Sequence, residues 1–250
     1  MNQLKNIYRK IRRSLKKTNI ALFGNRDYQK FVIISRSRTG STLLMALLRS
    51  HPNIHVEGEL FKVLNGKSCK QIWDELYDKH PARIKQVGFK LFYYHPFDDD
   101  QSVWDYLLED KNISIIHLRR ENMLRALVSQ KIGEKTKQWT QHINAKGSAD
   151  KVIQLDPEEC RTTFENISAY EERTRQQFAR HKTYVECTYE RLAADGYNLA
   201  NELYAQFDLP AHRPTTVLKK QNPESMQDLV SNYEEVKEHF STTKWAYLFD

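Results

Sequence analysis

The sequence predicts an α/β fold in three layers, a central parallel sheet with helices on both faces. Three observations carry this. Short, β-branched apolar runs alternate with amphipathic stretches along the chain, as in parallel sheets covered on both sides. One such run, Phe31-Val32-Ile33-Ile34-Ser35, passes through a glycine turn directly into an apolar helix start, Leu43 to Leu48. No internal repeat or low-complexity linker interrupts the pattern, and 250 residues suit one full-sized domain, placed at 29–250 after a basic segment at 1–28.

In chain order, the run at 31–35 reads as a buried strand and 40–50 as the helix that follows its turn. After His51-Pro52-Asn53 come a short strand at 54–57, a helix at 68–79 and a strand at 87–92. A helix at 101–109, a strand at 113–118 and a helix at 121–132 follow, then a polar stretch from Lys135 to Asp150. Pro157 is placed to start a long helix to about 180, because proline suits the first helical turn. A strand at 183–187, a helix at 189–207 and a C-terminal helix at 224–240 complete the pattern. Ligands of such sheets bind beyond the carboxyl ends of the strands, so the loops after residues 35, 92, 118 and 187 are expected to converge on one site.

Composition narrows the function classes. No apolar run approaches the roughly 18 residues of a membrane span, and no secretory h-region follows the basic N-terminus. Three cysteines (Cys69, Cys160 and Cys187), odd in number and without metal-ligand spacing, fit a reduced, cytoplasmic setting. The net charge of +7 is misleading as a whole-molecule figure. Lys5, Arg9, Lys10, Arg12, Arg13, Lys16 and Lys17 lie in residues 1–20 with no acid among them, so the rest of the chain is neutral. A nucleic-acid-binding groove is therefore not implied. Leu4, Ile7, Tyr8, Ile11 and Leu15 recur at helical spacing between these cations. That pattern reads either as an amphipathic helix for an anionic membrane surface or as a solvated tail.

The chemistry centres on Arg36-Ser37-Arg38-Thr39-Gly40-Ser41-Thr42. At a strand-to-helix turn the first helical N–H groups lack intrahelical partners and the dipole is positive outward. A phosphate or sulfate there meets those N–H groups, the Ser41 and Thr42 hydroxyls and the Arg38 guanidinium. The nucleoside triphosphate pattern G-x-x-x-x-G-K-[ST] is absent, since Ser35 and Ser41 stand where it needs Gly and Lys. A second cationic feature ends the strand Ser114-Ile115-Ile116-His117-Leu118: Arg119 and Arg120, followed by a helix carrying Ser129. Arginine at the end of a core strand is costly to desolvate unless an anion or carboxylate sits beside it.

The string Arg38-Thr39-Gly40-Ser41-Thr42-Leu43 resembles the 5′-phosphosulfate loop of sulfotransferases that use 3′-phosphoadenosine-5′-phosphosulfate (PAPS). Arg120 with Ser129 resembles their 3′-phosphate site, most closely in the bacterial carbohydrate and trehalose sulfotransferase type, with Leu-Arg-Arg and then Leu-Arg-x-x-[V/I]-Ser. The resemblance extends over most of 29–250. His51-Pro52 through Gly58-Glu59-Leu60-Phe61 is similar to the family's HP…GE-[I/L]-F segment, and Val87-Gly88-Phe89-Lys90 to its second-strand signature. Tyr189-Glu190-Arg191-Leu192 is similar to its Y-E-x-L element and Lys219-Lys220-Gln221-Asn222-Pro223 to its late basic loop. The resemblance implies a P-loop-like fold and places PAPS on residues 36–42, Arg120, Ser129, Tyr189 and Lys219.

Sulfuryl transfer needs the donor held in line and the charge on the leaving phosphate neutralised by fixed donors, a role suited to Arg38, the Gly40–Thr42 backbone and Lys90. No Asp/Glu/His cluster is dedicated to a metal. The resemblance puts a glutamate general base at Glu59. Glu57, two residues away, is expected to face the same site and to raise the pKa of one carboxylate of the pair. The histidine that small-molecule sulfotransferases carry two residues after the strand lysine is Phe92 here, so His95 is the second candidate base. Phe92-Tyr93-Tyr94 and Trp139 with His142 read as a sugar-stacking wall or as packing. A carbohydrate hydroxyl leads as acceptor, a glycolipid follows, and oligomeric state is not legible. The competing classes are a non-catalytic phosphonucleotide-binding module and a kinase-like enzyme.

Overall fold

The computed structural model describes residues 20, 22–139, 150–217 and 224–249. Five parallel strands form one sheet: β1 (Gln29–Ser35), β2 (Ile54–Glu57), β3 (Gln86–Phe92), β4 (Ser114–Arg119) and β5 (Tyr184–Thr188). Their order across the sheet is β2-β3-β1-β4-β5. The expected parallel architecture is the one observed. β1 lies at the centre, with Ile33 in register with Lys90 of β3 and Ile116 of β4. Gly88 lets the sheet close here, because a Cβ on it would come within 2.4 Å of the Phe31 carbonyl oxygen.

The helices are α1 (Ser41–Arg49), α2 (Cys69–Leu76), α3 (Val103–Glu109), α4 (Met123–Thr136), α5 (Pro157–Phe178), α6 (Tyr189–Gln206), α7 (Met226–Leu229) and α8 (Tyr233–Phe240), with a final 3₁₀ turn at Ala246–Phe249. Alternation along β1 divides the core. Phe31 and Ile33 face Leu44, Leu48, Leu199 and Tyr204 of α1 and α6, while Val32 and Ile34 face the α2 and α3 side. A third cluster joins α4, α5, α8 and the C-terminal turn around Phe164, Phe240 and Trp245. Each large apolar side chain so enclosed contributes about 1.5–3 kcal/mol.

Several boundaries depart from the sequence pattern. The C-terminal helix expected over 224–240 is two helices. Val230 is extended and pairs with Ile153, and Asn232 uses its side chain on the Leu155 backbone, so the chain cannot stay helical between them. α2 stops at Leu76, short of 79, and α4 runs to Thr136, beyond 132. α6 kinks at Asp195, whose φ and ψ are −149° and 66°. Among the described residues no helix is long and apolar enough to cross a membrane. Of the basic segment at 1–28, residues 1–19 and 21 lie outside the described residues, as do Lys219 and His142.

Candidate active site

The carboxyl ends of all five strands open onto one cavity of about 700 Å³. The loop after β1 supplies Ser37 to Thr42, that after β2 Glu59 and Lys62, and that after β3 Tyr94, His95 and Phe97. Arg120 follows β4 and Tyr189 follows β5. Two anion subsites expected from separate stretches of sequence thus share a single space.

Gly40 caps α1 in the left-handed region (φ 79°, ψ 10°) and offers no side-chain cap to the helix. By contrast Ser68, Asn122, Asp156 and Thr188 each cap their own helix by accepting a backbone N–H. With no carboxylate in its first turn either, α1 presents its N–H groups and dipole toward the cavity. The Tyr189 ring closes over the turn, so a Cβ on Gly40 would lie 2.6 Å from Tyr189 Cδ2. The same ring stacks on the Arg120 guanidinium at 4.3 Å, and Arg120 Nη1 donates to the Arg38 carbonyl at 3.0 Å. Burial, above all, lowers the Arg120 pKa to about 10, which still leaves it charged at neutral pH. Its Nε is buried with no hydrogen-bond partner.

Arg38, itself at positive φ (67°), reaches across the cavity. Its Nε and Nη2 donate to Ser129 Oγ at 2.9 and 2.7 Å, and Nη1 donates to the Trp139 carbonyl at 2.7 Å. The guanidinium therefore stands at the Arg120–Ser129 end, away from Lys90. Arg36 and Thr39 do not line the cavity. Arg36 is buried and donates to Gln130 Oε1 at 2.8 Å, and the Thr39 hydroxyl closes the turn on the Arg36 carbonyl at 2.9 Å. Ser37 holds the loop from the other side, its N–H donating to the Tyr94 hydroxyl at 3.2 Å.

At the opposite end Lys90, with its side chain only 5% exposed, pairs with Glu59 Oε1 at 3.0 Å and reaches Thr42 Oγ1 at 3.4 Å. One ammonium thus bridges the candidate base and the first turn of α1. His95 is buried beside this pair, ringed by Phe92, Tyr94 and Phe97. Burial lowers its pKa to about 4, so it is neutral at physiological pH. The paired carboxylates expected of Glu57 and Glu59 do not form. β2 ends at Glu57, which turns to His55 at 3.1 Å, and that hydrogen bond holds its carboxyl below the ordinary range.

The two adjacent arginines part company because successive side chains at a strand end point to opposite faces. Arg119 faces α5 and pairs with Glu186 at 2.6 Å and with Glu171 at 3.3 Å. His117, fully buried, joins this network. Its Nε2 meets the Tyr93 hydroxyl and its Nδ1 the Tyr184 hydroxyl, each at 2.7 Å. Burial lowers the His117 pKa to about 4. Tyr93 stacks on Tyr170 on that face, so of the expected aromatic wall only Phe92, Tyr94 and Trp139 line the cavity among the described residues. Sequence reasoning passed over Gln130, Lys62, Phe97, Met226 and Leu229. The only advance signal for Gln130 was its place beside Ser129.

No family model matches the chain. Nodulation protein H of Rhizobium tropici is 26% identical over 241 residues, covering 89% of this chain and 93% of that protein. Nodulation protein H of Rhizobium meliloti (strain 1021) is 22% identical over 238 residues, covering 89% and 95%. Among solved structures, a sulfotransferase from Alicyclobacillus acidocaldarius superposes with a TM-score of 0.52 at 14% identity, covering 88% of this chain and 94% of that one. The fold is that of a sulfotransferase. The resemblance first visible in the Arg38–Leu43 motif thus extends to the architecture of nearly the whole chain.

Proposed function

We propose that the protein is a sulfotransferase that moves the sulfuryl group of PAPS to a hydroxyl of a carbohydrate or glycolipid, with residues 29–250 as the catalytic domain. The observation that carries this is the shared cavity: the Gly40 turn and the Arg120 guanidinium line one space and are linked through the Arg38 carbonyl. One adenosine nucleotide with an anion at each end suits that arrangement. The orphaned Arg120 Nε supports it, since a buried guanidinium donor without an acceptor is expensive unless a ligand supplies one.

In this reading the uncapped start of α1, with Ser41 and Thr42, holds the 5′-phosphosulfate. Arg120, Ser129 and Arg38 hold the 3′-phosphate, and Tyr189 flanks the adenosine. The sulfur–oxygen bond to the acceptor forms as the bond to the leaving phosphate breaks, releasing adenosine 3′,5′-bisphosphate (PAP). Lys90, beside Thr42, neutralises charge on the leaving phosphate oxygens. Glu59 takes the acceptor proton, and the neutral His95 lends the pocket a polar edge. Three unpaired, buried cysteines suit a reducing, cytoplasmic setting.

The test is PAP release from PAPS with a panel of sugar and glycolipid acceptors. Wild type should turn over at least one acceptor class. Glu59→Gln should bind PAP as wild type does and lose turnover by about 10²-fold or more. Binding of PAP with no turnover of any acceptor would favour a nucleotide-binding module instead.

A further inference from the structure

The proposed 3′-phosphate site leaves two cavity-lining cations without a role, Lys62 at the Glu59 end and Arg125 at the other. Arg125 lies four residues before Ser129 on α4, hence on the same helical face, and lines the cavity together with Arg38 and Arg120. We propose that Arg125 is a further nucleotide-binding residue whose guanidinium reads the 3′-phosphate, so that it sets the preference for 3′,5′-bisphosphorylated over 5′-monophosphorylated adenosine. This rests on the PAPS reading above and adds to it a residue and a specificity.

Three observations support it. First, the hydrogen-bonding capacity of Arg125 is largely unused. Its backbone N–H is taken by the Asn122 cap at 2.8 Å, while its guanidinium donates one long bond, 3.4 Å, to the Glu224 carbonyl. A guanidinium has five N–H donors. Second, the carboxylates nearby make no ion pair with these arginines. Glu224 Oε1 pairs with Lys151 at 2.7 Å while its Oε2 is buried without a hydrogen-bond partner, and Glu190 accepts the N–H groups of Glu121 and Asn122 at 3.0 and 3.4 Å. Among the described residues neither Arg120 nor Arg125 has an ion-pair partner. Third, the positive charges act on one another. Burial lowers the Arg120 pKa most, Tyr189 and Glu190 act the other way, and Arg125 and Arg38 lie close enough to add a smaller repulsion that a bound dianion would offset. A phosphate is matched to guanidinium forks arranged in this way, whereas a ribose hydroxyl is not.

The experiment is isothermal calorimetry of the intact chain with PAP and with 5′-AMP, in wild type, Arg125→Ala, Arg125→Met and Arg125→Lys. Wild type should prefer PAP. The Ala and Met variants should each lose about 10- to 100-fold in PAP affinity, with AMP binding unchanged. The Lys variant should fall between them and wild type. Binding of AMP at wild-type strength also reports a folded nucleotide site. Variants that keep the wild-type ratio of PAP to AMP affinity would overturn the proposal while leaving the PAPS reading intact. Equal losses for both nucleotides would overturn it too, assigning Arg125 to support of the Glu224 segment. A wild type that does not distinguish PAP from AMP would overturn both.

Discussion

Replacing Gly40 with alanine tests whether the turn is built as described, and its effect divides into two parts. The residue sits at φ 79°, where a Cβ meets the neighbouring carbonyl, a strain of about 1–2 kcal/mol. The new methyl would also lie 2.6 Å from Tyr189 Cδ2, and that ring is held in its stack with the Arg120 guanidinium at 4.3 Å. Overpacking of this kind costs about 1–3 kcal/mol. The sum, about 2–5 kcal/mol, corresponds to a fall in melting temperature of roughly 4–20 °C for a chain of this size. Thermal unfolding followed by circular dichroism reads the stability, and calorimetry with PAP reads the site. Gly40→Ala/Tyr189→Ala should recover the packing part and keep the backbone part, showing up as a favourable coupling in a double-mutant cycle. A single Gly40→Ala variant that melts within 1–2 °C of wild type (about 0.5 kcal/mol or less) and binds PAP normally would refute the reasoning.

The remaining predictions concern the charged groups. Arg119→Met should lower stability by about 1–3 kcal/mol, because the buried Glu171 carboxylate loses this partner while Glu186 keeps Arg175, yet leave the preference for PAP over AMP untouched; a changed preference would place Arg119 in the nucleotide site. Lys90→Met should cut turnover by about 10²- to 10³-fold, and turnover within twofold of wild type would remove Lys90 from the chemistry. His95 and His117 both have folded pKa values near 4. Their unfolded forms take up protons as pH falls below about 6.5, so the unfolded state gains and stability drops between about pH 6.5 and 4, by up to about 1.4 kcal/mol per unit per histidine. Glu186, held at about 2, adds to the loss below pH 4.5, while Glu171, whose pKa is raised by burial, opposes it. Urea midpoints that stay constant from pH 7 to 5 would show that these imidazoles are not buried neutral.

Much of the architecture was legible because it follows from period and punctuation. The run Phe31–Ser35, buried on both faces, has no amphipathic alternative, and Gly40 marks a turn that only a left-handed residue completes. The residues of the two proposed anion sites stand out as motifs, since each needs particular donors at fixed offsets along the chain. What the pattern could not carry was direction. Arg119 and Arg120 are chemically identical neighbours, and only the strand's alternation sends one to Glu186 and the other to the cavity. Glu57 and Glu59 stand two residues apart, a spacing that puts both on one face only where the backbone stays extended through them. β2 ends at Glu57, and the turn through Gly58 separates them. The break at Val230–Asn232 was invisible for a related reason: its cause is Ile153 and Leu155, more than 70 residues away in sequence.

The account stands on one nucleotide bridging the Gly40 turn and Arg120. Calorimetry with PAP, ATP and AMP on wild type and Arg120→Ala tests this most directly. Wild type should bind PAP more tightly than ATP or AMP, and Arg120→Ala should lose that advantage while retaining AMP. A wild-type preference for ATP, or an Arg120→Ala variant that still selects PAP, would contradict it.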